Sequence, residues 1–132
     1  MMARLNQQQL LEIFRALKKE VQPYEKGNVV ARMNIEGKYE LWSEKTGMVI
    51  LGKPRPEISF VGIIVQSNYV GFYFMPIYTN NTWVQEQMPA DLMKLLKGKA
   101  CFHIKSADAA LMKQIAVAMQ IGYAAYEKMG WI

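Results

Sequence analysis

Glu57–Met75 reads EISFVGIIVQSNYVGFYFM, two apolar runs separated by a polar break at Gln66, Ser67 and Asn68. Read as strands, the runs fold back on each other with Ser67 and Asn68 as the loop, since Asn tolerates the positive φ that a two-residue loop demands. Counting outward pairs Val65 with Val70, Ile63 with Phe72 and Val61 with Phe74. Side chains alternate along a strand, so these six bulky residues share one face, the core face. The other face carries Phe60, Gly62, Ile64 and Gln66 beside Tyr69, Gly71, Tyr73 and Met75, which sets Gly62 across from Tyr73 and Gly71 across from Ile64. A large side chain beside a missing one leaves a hollow. Either the glycines let the sheet coil and the rings lie on bare backbone, or the hollows and Tyr hydroxyls form a ligand groove. A hairpin this apolar has to be covered by the rest of the chain.

Length and composition bound that remainder. With 132 residues, 52% hydrophobic and 20% charged, the chain is expected to form one domain over residues 1–132, with a core that requires no disulfide or structural metal. A single cysteine, Cys101, fits a reducing compartment. The N-terminus, MMARLNQQQLLEIF, has glutamines where a secretory signal would place its apolar core. No apolar run reaches the roughly 20 residues of a membrane span, so a cytoplasmic protein with no membrane partner is expected. The net charge of +5 is spread along the chain, with one local concentration at Lys94, Lys97, Lys99 and Lys105. Four lysines near a turn read as a solvated rim. Without an arginine stripe or an aromatic RNA-binding signature, they argue against a nucleic-acid partner.

In chain order, Leu10, Ile13, Phe14, Leu17 and Val21 follow the spacing of one helical face, predicting a helix over about Gln7–Gln22. Asn6 suits its N-cap, Gln9 stands three residues on, and Pro23 ends it. Short strands follow at Val29–Asn34, Lys38–Trp42 and Met48–Leu51, with Lys38, Glu40 and Trp42 on one face of the second. GKPRP, Gly52–Pro56, reads as a loop because two prolines cannot donate to a ladder. The hairpin is expected to continue through Tyr78, and Thr79–Thr82 reads as a polar turn. Pro89 opens a short helix, PADLMKLLK, closed by Gly98. Lys99–Lys105 alternates as a strand, and Ser106 caps a long helix reaching about Met129, with Asp108 in its first turn. Leu111, Met112, Ile115, Met119, Tyr123 and Tyr126 leave that helix a wide apolar surface, for the sheet or for a second copy in a homodimer. The pattern is an α+β sandwich, five to six mostly antiparallel strands flanked by N- and C-terminal helices.

NYVGFYFMPIY (Asn68–Tyr78), followed by MPADLMKLLKGKACFHIK (Met88–Lys105) and an Asp-containing start to a long helix, resembles the YdhG-like family, a small bacterial domain of unknown function. The resemblance covers roughly the last two thirds of the chain. It implies an α/β sandwich with a strongly bent antiparallel sheet, and some members look like frataxin, with a proposed iron-chaperone role. Iron held in the frataxin manner needs clustered carboxylates. Here 11 acidic residues stand against 16 basic ones and none forms a run, with Arg15, Lys18 and Lys19 set among the acids of the first helix.

Cys101 and His103 share a strand face, and Lys99 and Lys105 beside them would favour a thiolate. Side chains two apart on a strand nevertheless stand roughly 6–7 Å apart, too far for direct proton transfer. One His and one Cys also do not close a metal site. The expectation is a non-enzymatic binding protein with no cofactor and no metal site, taking a small organic ligand or a protein partner at the hairpin face. Its expected site residues are Tyr69, Gly71, Tyr73, Gly62, Tyr78 and Trp42; an intracellular iron chaperone is the alternative.

Overall fold

The computed structural model describes residues 4–79 and 81–132. Helix α1 (Gln7–Val21) starts on a reciprocal cap: the Asn6 side chain accepts from the Gln9 N–H, and the Gln9 side chain accepts from the Asn6 N–H. All five residues of the expected stripe are buried. Leu5 N–H donates to Asn68 Oδ1 at 2.9 Å, tying the start of the helix to the central hairpin's loop.

Past a 3-10 turn at Gln22–Tyr24 come β1 (Val29–Ile35) and β2 (Lys38–Ser43), joined through Gly37. Next, β3 (Met48–Ile50) and β4 (Lys53–Arg55) form a separate two-stranded hairpin. GKPRP is therefore partly strand. Its turn residues Leu51 and Gly52 both have positive φ, 52° and 77°, as a type I′ turn requires. Pro54 sits opposite Val49, between the Met48–Arg55 and Ile50–Lys53 pairs. In an antiparallel ladder every second pair makes no hydrogen bonds, so the missing N–H falls where none is needed.

Strands β5 (Ile58–Val65) and β6 (Val70–Phe74) are the central hairpin, and the register is the one expected: Val65↔Val70, Ile63↔Phe72, Val61↔Phe74. Gln66 N–H closes the loop onto Tyr69 O at 2.9 Å. The strand stops at Phe74, because Pro76 has no N–H to extend the ladder. Met75–Thr79 instead forms helix α2, followed by α3 (Asn81–Gln87). The polar turn expected over Thr79–Thr82 thus belongs to two short helices, with Asn80 outside the described residues.

Pro89 precedes a helix only four residues long, α4 (Ala90–Met93). Leu96 and Lys97, expected to be helical, form β7 and turn through Gly98, at φ 75°, into β8 (Cys101–Ile104). Edge pairing with Phe102 and Cys101 outweighs the local helical pattern there. Helix α5 (Ala109–Lys128) is capped by Asp108, whose carboxylate accepts from Leu111 N–H.

Six strands make one antiparallel sheet in the order β1-β2-β5-β6-β8-β7. Helices α1 and α5 pack on each other and on the core face of the hairpin. Close approach of α5 depends on Gly122, where a Cβ would stand 2.6 Å from the Phe74 ring and 2.9 Å from Pro76. Phe60 departs from the expected alternation. Opposite β2 the register jumps from Leu41↔Val61 to Trp42↔Ser59, so Phe60 is the extra residue of a bulge. The bulge turns Phe60 to the helix side, where it is fully buried against Tyr126, with ring centroids 5.1 Å apart.

Candidate functional site

On the face away from α1 and α5 the register aligns side chains in rows across the strands. One row runs Met33, Glu40, Gly62, Tyr73, Cys101, Lys97; the next runs Ile35, Lys38, Ile64, Gly71, His103. Trp42 and Ser59 are paired one step beyond the first row. Glu40, Trp42, Ile64, Tyr73, Cys101 and His103 are all half-buried, so this face is wetted where the other is dry.

The two glycines meet different fates. The Tyr73 ring leans along its own strand over Gly71, so a Cβ on Gly71 would lie 2.6 Å from Tyr73 Cε2. Gln66 Nε2 holds the ring there by donating to the Tyr73 hydroxyl at 3.1 Å. The ring thus overlaps Gly71 but reaches Gly62 only at contact distance, so the space above Gly62 keeps room for a side chain. A Cβ there would meet Glu40 Cγ and Tyr73 Cβ at 3.7 Å and Tyr73 Cδ2 at 4.0 Å, all ordinary contact distances. The resulting groove, about 230 Å³, is lined by Glu40, Trp42, Ser59, Gly62, Ile64, Tyr73 and Met75.

Of the six expected site residues, Gly62, Tyr73 and Trp42 therefore come together. Gly71 lies beneath Tyr73. Tyr69 is outside the groove lining and stacks flat on His103, centroids 3.7 Å apart at 10°. Tyr78 does not join them: it sits on α2 beside Ile50, Leu51 and Trp131, with Lys99 Nζ 5.5 Å from its ring. Its displacement follows from Pro76 ending the strand. Glu40, Ser59, Ile64 and Met75 complete the lining although none was among the expected site residues. The alternation of Lys38–Trp42 marks Glu40 and Trp42 as sharing a face, but not which strand lies beside them.

Burial pushes the Cys101 thiol above its ordinary value, and a hydrogen bond with the Tyr73 hydroxyl offsets part of that shift. The thiol is thus held protonated, opposite to the effect expected of Lys99 and Lys105. His103 is engaged with Tyr69. Tyr73 is raised as well, chiefly by burial and then by Cys101. Among the described residues no three His, Cys, Asp or Glu side chains gather as a metal would require. Among the described residues, too, no helix is long and apolar enough to cross a membrane.

Larger hollows lie elsewhere. One of about 400 Å³ opens on α1 between Arg15, Lys18, Lys19, Gln22 and Pro23. Its Arg15 is engaged by Glu36 at 2.6 Å, and its Lys18 by Asn34 and the Tyr39 ring. Another, about 310 Å³, is lined by Ile50, Leu51, Tyr78 and Trp131 and offers little polar chemistry to orient a ligand.

No family model, curated protein or solved structure matches this chain.

Proposed function

We propose that the chain is a non-enzymatic binding protein that takes a small organic ligand in the groove over Gly62. The observation that carries this is the uneven use of two glycines on one uncovered sheet face. Both glycines are buried, but a Cβ at Gly71 would run into the protein's own Tyr73 at 2.6 Å, whereas at Gly62, between an indole, a carboxylate and a phenol ring, it would meet nothing closer than 3.7 Å. Apolar walls with a few convergent polar groups are the usual make-up of a ligand site. At roughly 30 Å³ per water-sized unit the groove admits about eight heavy atoms, so the ligand is small. A non-catalytic role is favoured by the protonated Cys101 and by His103 stacking on Tyr69 instead of pairing with the thiol. A lone thiol suits a reducing, cytoplasmic setting. The runs Asn68–Tyr78 and Met88–Lys105 support placing the chain with the YdhG-like domains. Iron delivery, the alternative, draws no support from the scattered carboxylates.

The test is an NMR titration with a small-fragment library, following the Trp42 indole N–H and the Gly62 amide. Hits are expected to shift both signals, and Gly62→Val, which fills the groove, is expected to abolish the shifts while the protein stays folded. Tyr73→Ala should weaken binding more than it lowers stability. Fragments that bind but leave both signals unmoved would place the site elsewhere.

A further inference from the structure

The charge of the ligand follows from the lining of the same groove, so this inference rests on the binding role proposed above. Among the described residues, Glu40 is the one charged side chain lining it; the others are an indole, a phenol ring, a hydroxyl, a thioether, an isoleucine and a glycine. Such a surface presents acceptors and π-faces to a ligand.

Two cations beside the groove, Lys38 and Arg32, do not cancel Glu40. Lys38 Nζ lies 3.8 Å from Glu40 Oε1, with both side chains only partly buried. A loose, wetted pair of that kind contributes little and is readily replaced. Arg32 lies over the Trp42 ring at 4.6 Å, but its charge is taken by Glu44 at 2.6 Å and by Glu57. That contact also shows that the Trp42 ring accepts a cation against it, as an electron-rich indole should. On the far side of the Gly62 floor, the Tyr73 hydroxyl is directed to Gln66, which leaves the body of the ring rather than its polar tip near the groove.

We infer that the groove is selective for a cation: a protonated primary amine on a short apolar stem. The nitrogen sits at Glu40 and against Trp42, and the stem lies along Gly62 toward Ile64 and Met75. An anion would meet Glu40 with no cation of the lining to oppose it. A neutral molecule of equal shape would keep the stem contacts and lose the charge-assisted bond, which in partly wetted surroundings corresponds to about a tenfold loss of affinity.

The experiment compares three probes of nearly equal size, phenethylamine, phenethyl alcohol and phenylacetate, titrated into the full chain and read at the Trp42 indole and Gly62 amide. Phenethylamine should bind about tenfold more tightly than the alcohol, and phenylacetate more weakly than either. Glu40→Gln, at a half-buried and uncrowded position, should bring the amine down to the level of the alcohol, and Lys38→Gln should tighten the amine. Equal affinities for amine and alcohol, or no response to Glu40→Gln, would overturn cation selectivity while leaving the groove as a binding site. If neither these probes nor any fragment moves the two signals, the binding role falls with it.

Discussion

Gly122 offers the sharpest test of how the helices sit on the sheet. In an open helix, Gly→Ala stabilises by about 1 kcal/mol, because alanine loses less backbone freedom on folding. At Gly122 the added methyl would lie 2.6 Å from Phe74 Cε1 and Cζ and 2.9 Å from Pro76 Cγ. Neither neighbour can easily give way. Phe74 is fully buried between Phe72 and Phe102, with ring centroids 5.6 and 6.5 Å away, and Pro76 is a closed ring. Overpacking of this kind costs about 1–3 kcal/mol. Set against the propensity gain, Gly122→Ala should destabilise by about 1 kcal/mol, or about 4 °C in Tm for a chain of this size. Ala124→Gly, at an exposed position one step beyond the adjacent residue, calibrates propensity alone and should cost about 1 kcal/mol. Urea unfolding of both variants decides the matter. In a Phe74→Leu background, which removes the two clashing ring atoms but leaves Pro76 Cγ at 2.9 Å, the Gly122→Ala penalty should shrink, giving a coupling of about 0.5 kcal/mol or more. Stabilisation by Gly122→Ala equal to the Ala124→Gly loss would refute the close approach of α5 to the sheet.

Three further outcomes follow from other contacts. The Trp131 indole donates to Val49 O at 3.2 Å and packs edge-on against Tyr126, while the Trp131 carbonyl accepts from the buried Ser43 hydroxyl at 2.5 Å. Trp131→Ala should therefore cost about 3–5 kcal/mol in chemical denaturation, and a loss below about 1 would mean that this end of the chain is not docked. Leu51 is 97% exposed and holds a left-handed φ of 52°, so Leu51→Asn loses no burial and should stabilise by about 1 kcal/mol; a lower denaturation midpoint would contradict the turn geometry. Burial holds Cys101 above 9.0 and Tyr24, Tyr39 and Tyr73 above 10.0, with the Glu25 carboxylate adding to the shift at Tyr39. Above those ordinary values the unfolded chain gives up protons that the native one keeps. The stability tied to these groups is complete below about pH 9 and drains as pH rises through the folded values. Denaturation midpoints should fall from about pH 9 upward, less steeply in Tyr39→Phe, and a flat profile to about pH 11 would count against the shifts.

Much of the architecture is legible in the residues because it is set by local rules. The capping pair at Asn6 and Gln9, the stripe of α1 and the pairing of Val61–Val65 with Val70–Phe74 each depend on spacing within one short segment, and spacing is what a sequence displays. The misread elements are those where a distant partner overrides the local pattern. Leu96 and Lys97 follow a helical run until the edge of the sheet recruits them. Pro54 looks unfit for a strand until the ladder places it at a pair that needs no N–H. Phe60 should face outward until, as the unpaired residue between the Leu41 and Trp42 pairings, it turns to the helices.

The candidate site divides along the same line. Alternation alone put Gly62 and Tyr73 on one face, and Glu40 and Trp42 on one face of another strand. Only the folded chain laid those strands side by side, because pairing between segments about 20 residues apart in sequence is decided by the burial of their shared apolar face and not by either segment. Which of two equivalent-looking glycines would keep space above it was likewise a tertiary decision: Gln66 draws the Tyr73 hydroxyl toward the turn, the ring lies down on Gly71, and Gly62 keeps room beside a carboxylate.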